Sequence, residues 1–162
     1  MKYPVEDYTK YRWFFTSLGN IVIGGRSAQQ NDELLISLKK QKSDYIVMHT
    51  SSPGSPFSII FAEPDKVEAS EIEQTSTFTG CLARAWRSNN RKAQIDIFKL
   101  SQLYKLKSMK VGMWAIRGKV QKRIVNLELA LTKQKGKLRA VPETTIKKSE
   151  VLLRIKPGKI DK

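Results

Sequence analysis

The chain has 162 residues, 40% of them hydrophobic, which fits one domain large enough to bury a core of its own. Its net charge of +15 comes entirely from residues 82–162, where 22 Lys and Arg stand against 5 Asp and Glu, while residues 1–81 carry 8 against 10. No apolar run is long enough to span a bilayer and the N-terminus lacks a signal-peptide pattern, so we expect a soluble, cytoplasmic protein.

The first predicted elements are a β-hairpin and a helix. YRWFFTSLGNIVIGG predicts two apolar strands that turn near Gly19-Asn20, and a helix follows from Ser27 to about Lys40, with Ser27 as its N-cap. The stretch between them, VIGGRSAQQN, fits two interpretations: an anion site at a helix N-terminus, or plain strand-to-helix punctuation. We expect Gly24 and Gly25 to allow a turn and close packing, and Arg26 to reach an anion or a loop carbonyl near His49.

Two strands and a second helix come next. DYIVMH and FSIIF predict neighbouring buried strands joined by the turn-rich loop TSSPGSP, with His49 where strand meets loop. A helix is predicted from about Ser70, where Ser70 and Glu73 have capping-box spacing. Its apolar face continues through Trp86, and Arg84, Arg87 and Asn89-Asn90 close it.

The remainder of the chain changes to the alternating pattern typical of strands. QIDIFKL, GMWAIRG, NLELALT and EVLLRIK predict four strands, joined by the basic connections RGKVQKR and KQKGKLR. The predicted class is α+β: a mixed, mostly antiparallel sheet with two main helices in the first half. We expect one domain over residues 1–162, in which residues 120–162 supply basic C-terminal strands and a tail.

The basic second half favours a polyanionic partner, either nucleic acid or an anionic membrane face, although basic faces also serve solubility; we predict nucleic acid and no membrane partner. In a strand, alternate residues share one face, so a strand would present Lys133, Lys135, Lys137 and Arg139 together as a track for phosphates. The candidate nucleic-acid-binding residues are Arg26, Lys105, Lys107, Lys110, Arg117, Lys119, Lys122, Arg123, Lys133, Lys135, Lys137 and Arg139.

Four segments, in chain order, resemble the NFACT-R domain, the C-terminal RNA-binding module of RqcH and NEMF-type ribosome quality-control factors. They are KYRWFFTSLGNIVIGGRSAQQNDELL, SDYIVMHTSSPGSPFSII, TSTFTGCLARAW and MWAIRGK, within residues 10–119. The matching motif positions are Trp13, Gly24, Gly25, Arg26, Asn31, Asp44, His49, Gly54 and Pro56. The resemblance implies a cofactor-free module for ribosomal RNA or tRNA, acting at the ribosome in translation quality control.

The chain departs from the family in two ways. Ala83 stands where the family usually has a serine, and Gln102, Leu103, Tyr104 and Lys105 stand where it usually has QVSK. The full-length factors also carry an N-terminal NFACT domain, helix-hairpin-helix segments and a coiled coil, for which 162 residues have no room. We therefore expect a stand-alone module, to which aminoacyl-tRNA selection and tail synthesis do not carry over.

Catalysis is the competing hypothesis. His49 is the only histidine and Cys81 the only cysteine, which excludes metal sites with two imidazoles, cysteine-based zinc sites and disulfides. A small enzyme or an anion- or nucleotide-binding protein would use a pocket at Gly25, Arg26 and His49, with Ser51, Ser52 and Asp44 nearby. A strand-end histidine more often makes a structural hydrogen bond, so we predict no enzyme, no metal and no cofactor.

Aromatic residues offer a second route to nucleic acid. Trp13, Phe14, Phe15, Trp86, Phe98 and Trp114 occupy apolar periodic positions and are expected in the core, as is Cys81. The tyrosines flanked by basic residues, Tyr8, Tyr11 and Tyr104, are the better candidates for exposed base stacking, and a purely structural role for them is at least equally favoured. The same positive charge would also attract DNA, and the pattern leaves the oligomeric state open.

Overall fold

A computed structural model describes residues 3–158. Within that range the strands are β1 (Arg12–Phe15), β2 (Ile21–Gly24), β3 (Ile46–Thr50), β4 (Ser58–Ile60), β5 (Lys92–Lys99), β6 (Leu103–Tyr104), β7 (Ala115–Ile116), β8 (Gln121–Asn126), β9 (Leu129–Gln134), β10 (Lys137–Val141) and β11 (Leu153–Ile155). The α-helices are α1 (Ala28–Lys39), α2 (Ala69–Cys81) and the single turn α3 (Arg84–Arg87).

The strands form three sheets, all antiparallel. A six-stranded sheet has the order β1-β2-β4-β3-β5-β8, a three-stranded sheet the order β10-β9-β11, and β6 pairs with β7. The α+β class, with its two main helices in the first half, is therefore confirmed. No helix within residues 3–158 has the length and apolarity needed to cross a membrane, and the end of the predicted tail, residues 159–162, lies outside the described range.

Strands β1, β2 and β4 of the large sheet are buried on both faces, which explains the unbroken apolar runs of β1 and β2. Trp13 and Phe15 face α1 and pack in one cluster with Leu35. Phe14 faces the other way, against Phe78 of α2, with ring centroids 4.4 Å apart. The three-stranded sheet completes this second cluster with Leu129 and Val141, and Cys81 lies there as expected.

The hairpin and the start of α1 follow the sequence prediction closely. Trp13 pairs with Ile23 across the hairpin, and the Gln30 N–H donates to Ser27 Oγ at 3.1 Å. Ser27 and Gln30 have the spacing of a capping box, but Gln30 Oε1 accepts from the N–H of Arg26 instead of that of Ser27. The helix start therefore also fixes the backbone of Arg26.

The prediction of one long second helix was right about its start, near Ser70, but wrong about its capping residues and its C-terminal end. The helix begins at Ala69, and Glu71 supplies the capping bond by accepting from the Glu68 N–H at 3.2 Å, so Ser70 and Glu73 do not cap it. It ends at Cys81 with Leu82 as its C-cap, because Ala83 is extended and the next N–H, that of Arg84, donates to the Gly54 carbonyl at 3.0 Å. A tertiary bond thus separates α3 from α2.

Two predicted connections contain strands. RGKVQKR leads directly into β8, which pairs with β5 although Ile124 is 68% exposed and only Val125 is buried. Its side chains lack the apolar alternation that identifies strands. In KQKGKLR, Lys135 (φ 50°) and Gly136 (φ 72°) form the tight turn that joins β9 to β10. Of GMWAIRG, in contrast, only Ala115–Ile116 is a strand.

The β9–β10 hairpin docks on the outer edge of β1. The Gln134 side-chain amide accepts from the Phe15 N–H and donates to the Phe15 carbonyl, both at 2.9 Å. Arg139 donates to the Trp13 carbonyl. Side chains of one sheet therefore satisfy backbone groups of the other.

Candidate nucleic-acid interface

A groove of about 770 Å³ opens beside the N-terminus of α1. Its walls are the β2–α1 connection, the β3–β4 loop, α3 and the β6–β7 loop. These segments come from four distant parts of the chain, and the large sheet brings them together at one end. We call this feature the arginine groove.

Five cations line the arginine groove, and all five are exposed: Arg12, Arg26, Arg84, Arg87 and Lys110. Among the ion pairs formed within residues 3–158, none involves any of them. The positive end of the α1 dipole adds to their field. The carboxylate of the groove, Asp96, is already bound by Lys122 Nζ at 2.8 Å and Ser51 Oγ at 2.6 Å. The groove is therefore suited to an anion.

Arg26 is oriented by the N-terminal segment. Its Nη2 donates to the carbonyls of Thr9 and Tyr11, both at 3.3 Å. The expected contact with a carbonyl near His49 was wrong, because the segment before β1 supplies the carbonyl groups instead. These bonds engage one nitrogen of the guanidinium, which leaves its other donors for a ligand.

The floor of the groove depends on Gly25 and Asn31. Asn31 is buried and its Oδ1 accepts from the N–H of Gly25 at 3.0 Å and from that of Phe57 at 3.4 Å. A Cβ at residue 25 would lie 2.3 Å from Asn31 Oδ1 and 2.8 Å from the Asn31 backbone nitrogen. A side chain at residue 25 would therefore collide with the residue that joins α1 to the β3–β4 loop.

Gly54 positions α3. It has a φ of +107°, which favours glycine, and a Cβ there would lie 3.1 Å from Arg84 Cβ. Since its carbonyl also accepts from the Arg84 N–H at 3.0 Å, the loop and α3 are in direct contact. This contact holds Arg84 and Arg87 at the groove.

His49 lies inside the groove as a neutral ring. Its Nδ1 lies 2.7 Å from the Thr50 carbonyl, and its ring is stacked on Phe57 with centroids 4.4 Å apart. Burial lowers the pKa of His49 below its usual value, although the Thr50 carbonyl and Asp96 oppose this. Ser51 donates to Asp96, so it is not bound to His49 as a catalytic pair would require.

The family model for the NFACT protein RNA binding domain matches residues 10–118. The chain belongs to this family. The resemblance seen in the sequence motifs is therefore confirmed. The family motif includes the glycine, arginine and asparagine residues that lie around the groove.

Individual relatives agree with the family assignment. The archaeal Rqc2 homolog aRqcH of Methanocaldococcus jannaschii is 30% identical over 115 residues, which are 68% of this chain and 17% of that protein. The chain thus spans only a small part of the length of this relative. In fold it is similar to the C-terminal part of the fibronectin/fibrinogen-binding protein from Streptococcus suis, with a TM-score of 0.60 and 18% identity over 76% of this chain and 47% of that one.

The NFACT-R motif residues divide into two groups. Gly25, Arg26, Asn31, His49, Gly54 and Pro56 line the groove. Trp13 is in the core, Gly24 packs against Pro56, and Asp44 lies at the opposite end of β3, where it accepts from the N–H and Oγ of Ser101. Asp44 therefore binds Ser101 and does not contact His49.

Several of the basic residues predicted to contact nucleic acid also have intramolecular partners. Lys105 pairs with Asp32 at 3.1 Å, and Lys122 with Asp96 at 2.8 Å. The Arg117 guanidinium lies 4.3 Å from the centroid of the Tyr104 ring. Of the predicted set, only Arg26 and Lys110 line the groove. Lys107 and Lys119 are exposed and Arg123 is half-buried.

The predicted phosphate track along one strand was wrong. The turn at Lys135 and Gly136 places Lys133 on β9 and both Lys137 and Arg139 on β10. Arg139 is half-buried, and its guanidinium lies 4.0 Å from the centroid of Trp13. It is a structural residue, while the three lysines are exposed.

The sequence interpretation missed Arg12, Arg84 and Arg87. Arg84 and Arg87 were assigned to the closing turn of the second helix. No local sequence signal marks their place at the groove, because Gly54, which positions α3, is 30 residues before Arg84 in sequence. The prediction that these tyrosines are exposed was also wrong. Tyr8 and Tyr11 are half-buried against the core, and Tyr104 lies under Arg117. Trp13, Phe14, Phe15 and Phe98 are buried as expected, while Trp86 and Trp114 are half-buried.

Asp32 of α1 holds the β6–β7 loop against the groove. Its Oδ1 accepts from Trp114 Nε1 at 2.8 Å and from the Gly112 N–H at 3.1 Å, and Lys105 pairs with its Oδ2. Although burial opposes ionisation, these three donors lower the pKa of Asp32. The carboxylate thus fixes the loop that carries Lys110.

Asp32→Asn is expected to lower the free energy of unfolding by about 1–2 kcal/mol, because the amide keeps one acceptor oxygen but leaves Lys105 without its counter-ion. Because the pKa is lower in the folded state, the wild-type carboxylate stabilises the fold above about pH 4 and loses that contribution as pH falls through the lowered pKa. The variant should lack this acid dependence. Urea unfolding at several pH values tests both points, with the exposed Asp65→Asn as control.

Proposed function

We propose that this chain binds RNA in ribosome-associated quality control, through the arginine groove. The observation that carries the proposal is the convergence of five exposed cations, free of ion pairs within residues 3–158, on one recess. Membership in the NFACT RNA-binding family and similarity to an archaeal Rqc2 homolog support it. Ribosomal RNA and tRNA are the proposed partners.

Recognition in this proposal is electrostatic and geometric. Guanidinium groups bind phosphate oxygens in bidentate fashion, and four of the five groove cations are arginines. Because β1, the start of α1, α3 and the β6–β7 loop held by Asp32 fix the backbone of these cations, little backbone order is lost when a phosphate binds. The exposed lysines outside the groove, Lys107, Lys119, Lys133, Lys135 and Lys137, would act at longer range by attracting the polyanion.

The proposal makes the chain a binding module and not a catalyst. The hypothesis of a separate small-molecule pocket at Gly25, Arg26 and His49 concerns the same groove. Its histidine has its Nδ1 at the Thr50 carbonyl and its serine donates to Asp96, so the described residues assemble no activated nucleophile. The groove is therefore better suited to holding RNA than to reacting with it.

Salt titration tests the proposal. If the five groove cations each neutralise one phosphate, log affinity for a tRNA transcript or a ribosomal RNA hairpin should fall with a slope of about −3.5 (single-stranded contacts) to −4.5 (duplex contacts) per log unit of salt. Fluorescence anisotropy with labelled RNA at a series of KCl concentrations measures this slope. A response that does not change with salt would contradict the electrostatic mechanism.

A further inference from the structure

The interior of the arginine groove differs chemically from its rim. Phe57 and Pro56 are buried at its floor, and the flat His49 ring is stacked on Phe57. Val111 and Met113 of the β6–β7 loop line the groove and are 63% and 53% exposed. Phosphate binding alone needs only the cations. The apolar interior therefore indicates that the ligand has a second part, which is apolar.

The volume sets a limit on what that second part can be. A recess of about 770 Å³ lies within the range of pockets that enclose a small organic molecule. In an RNA duplex the bases are stacked inside the helix, so a duplex would contact the rim with its backbone and leave the interior empty. An unpaired nucleotide offers both a phosphate for the rim and a flat base for the interior.

His49 provides the polar part of the interior. Because its Nδ1 lies 2.7 Å from the Thr50 carbonyl, the proton of the neutral ring is on Nδ1, where it donates to that oxygen, and Nε2 carries a lone pair. Burial lowers the pKa of His49 and so favours the neutral ring, although the backbone of Thr50 and Ser55 and the charge of Asp96 oppose this shift. A nucleobase can offer an N–H group to such an acceptor while its face packs against apolar side chains.

We propose that the arginine groove binds an unpaired nucleotide of RNA, with its phosphate on the arginines and its base between the His49–Phe57 stack and Met113. This inference rests on the proposed function and deepens it, because it names single-stranded or extruded RNA as the form that enters the groove. The β6–β7 loop, held by Asp32, then forms one wall of a base pocket.

The test compares four labelled RNAs by fluorescence anisotropy. Two carry an overhang of about four nucleotides on a duplex of about 20 base pairs, with normal bases in one and abasic sites in the other. The other two are blunt: the same duplex without the overhang, and a longer duplex with as many phosphates as the overhang RNAs. Only the overhang with bases should bind more tightly, by about tenfold. The abasic overhang separates the bases from their phosphates.

A pair of matched variants locates the base. Met113 and Leu106 lie in the same loop and are both 53% exposed, but only Met113 lines the groove. Met113→Ser should reduce the gain from the overhang about threefold without affecting the blunt duplex, because base stacking on the wall is lost. Leu106→Ser should leave both affinities unchanged.

The outcomes separate this inference from the proposed function. If all four RNAs bind equally well, the groove takes phosphates alone and the inference is wrong, while RNA binding stands. If the overhang gain is real but Leu106→Ser removes as much of it as Met113→Ser, the base is bound elsewhere and the inference is again wrong. If no RNA binds even at low salt, both proposals fail together.

Discussion

Replacing Arg26, Arg84 and Arg87 together with glutamine is expected to weaken RNA binding about 100-fold at roughly 0.1 M salt. Three of the five groove cations are lost, and with them the release of about two counterions from the RNA. The salt slope should become less steep by about 2 in the same anisotropy titration. Both readouts depend on the same three side chains, so they should change together.

The matched control replaces Lys133, Lys135 and Lys137 with glutamine. It removes the same charge from the β9–β10 hairpin, outside the groove. We expect a loss of at most about fivefold, since long-range attraction is screened at this ionic strength. If the lysine variant loses as much affinity as the arginine variant, binding follows net charge and the groove has no special role.

Stability measurements accompany both variants. The substituted side chains are exposed, and surface charges contribute little to the free energy of unfolding. Arg26 also donates to two backbone carbonyls, so the arginine variant is expected to lose about 1 kcal/mol. Thermal unfolding followed by circular dichroism would separate lost binding from lost structure.

Gly25→Ala is expected to destabilise the fold by about 3 kcal/mol or more, because the added methyl group has no room beside Asn31. The new Cβ would lie 2.3 Å from Asn31 Oδ1 and 2.8 Å from the Asn31 nitrogen. Rotating the Asn31 side chain relieves only the first contact and leaves the N–H groups of Gly25 and Phe57 without their acceptor.

The neighbouring glycine supplies the comparison. A Cβ at Gly24 would lie 3.1 Å from Pro56 Cβ and 3.3 Å from the Phe57 carbonyl oxygen, distances that a small shift can relieve. Gly24→Ala should therefore cost about 1 kcal/mol or less in urea unfolding. Equal stability of the two variants would mean that the β2–α1 connection can move away from Asn31, and that glycine there is not a steric requirement.

The elements that the sequence predicted well are those determined by local chemistry. The hairpin and the Ser27 cap depend on residues a few positions apart, so the local sequence is enough to predict them. β8 was missed because its outward Ile124 breaks the apolar alternation, and its pairing depends on the position of β5. The break after α2 was missed because its cause, the Gly54 carbonyl, is 30 residues away in sequence.

The candidate site was predictable only in part for the same reason. Arg26 stood out beside its glycines, whereas Arg12, Arg84 and Arg87 join it only once the sheet has formed. The predicted track from Lys133 to Arg139 assumed a strand where Lys135 and Gly136 adopt positive φ. Charge counting identified the basic half of the chain, but counting cannot indicate which charges are already bound to Asp32 or Asp96.

The contact between the β9–β10 hairpin and β1 has a consequence for where the domain ends. β1 is an outer strand of the large sheet, and unsatisfied peptide groups on such a strand recruit further strands from other molecules. The Gln134 side-chain amide makes the two hydrogen bonds to Phe15 that the backbone of a neighbouring strand would make, and Arg139 donates to the Trp13 carbonyl. A fragment cut at the family boundary, residue 118, would expose this edge and lose Val125, Leu129 and Val141 from the core. We infer that residues 119–158 are part of the same folding unit and protect it from edge-to-edge aggregation.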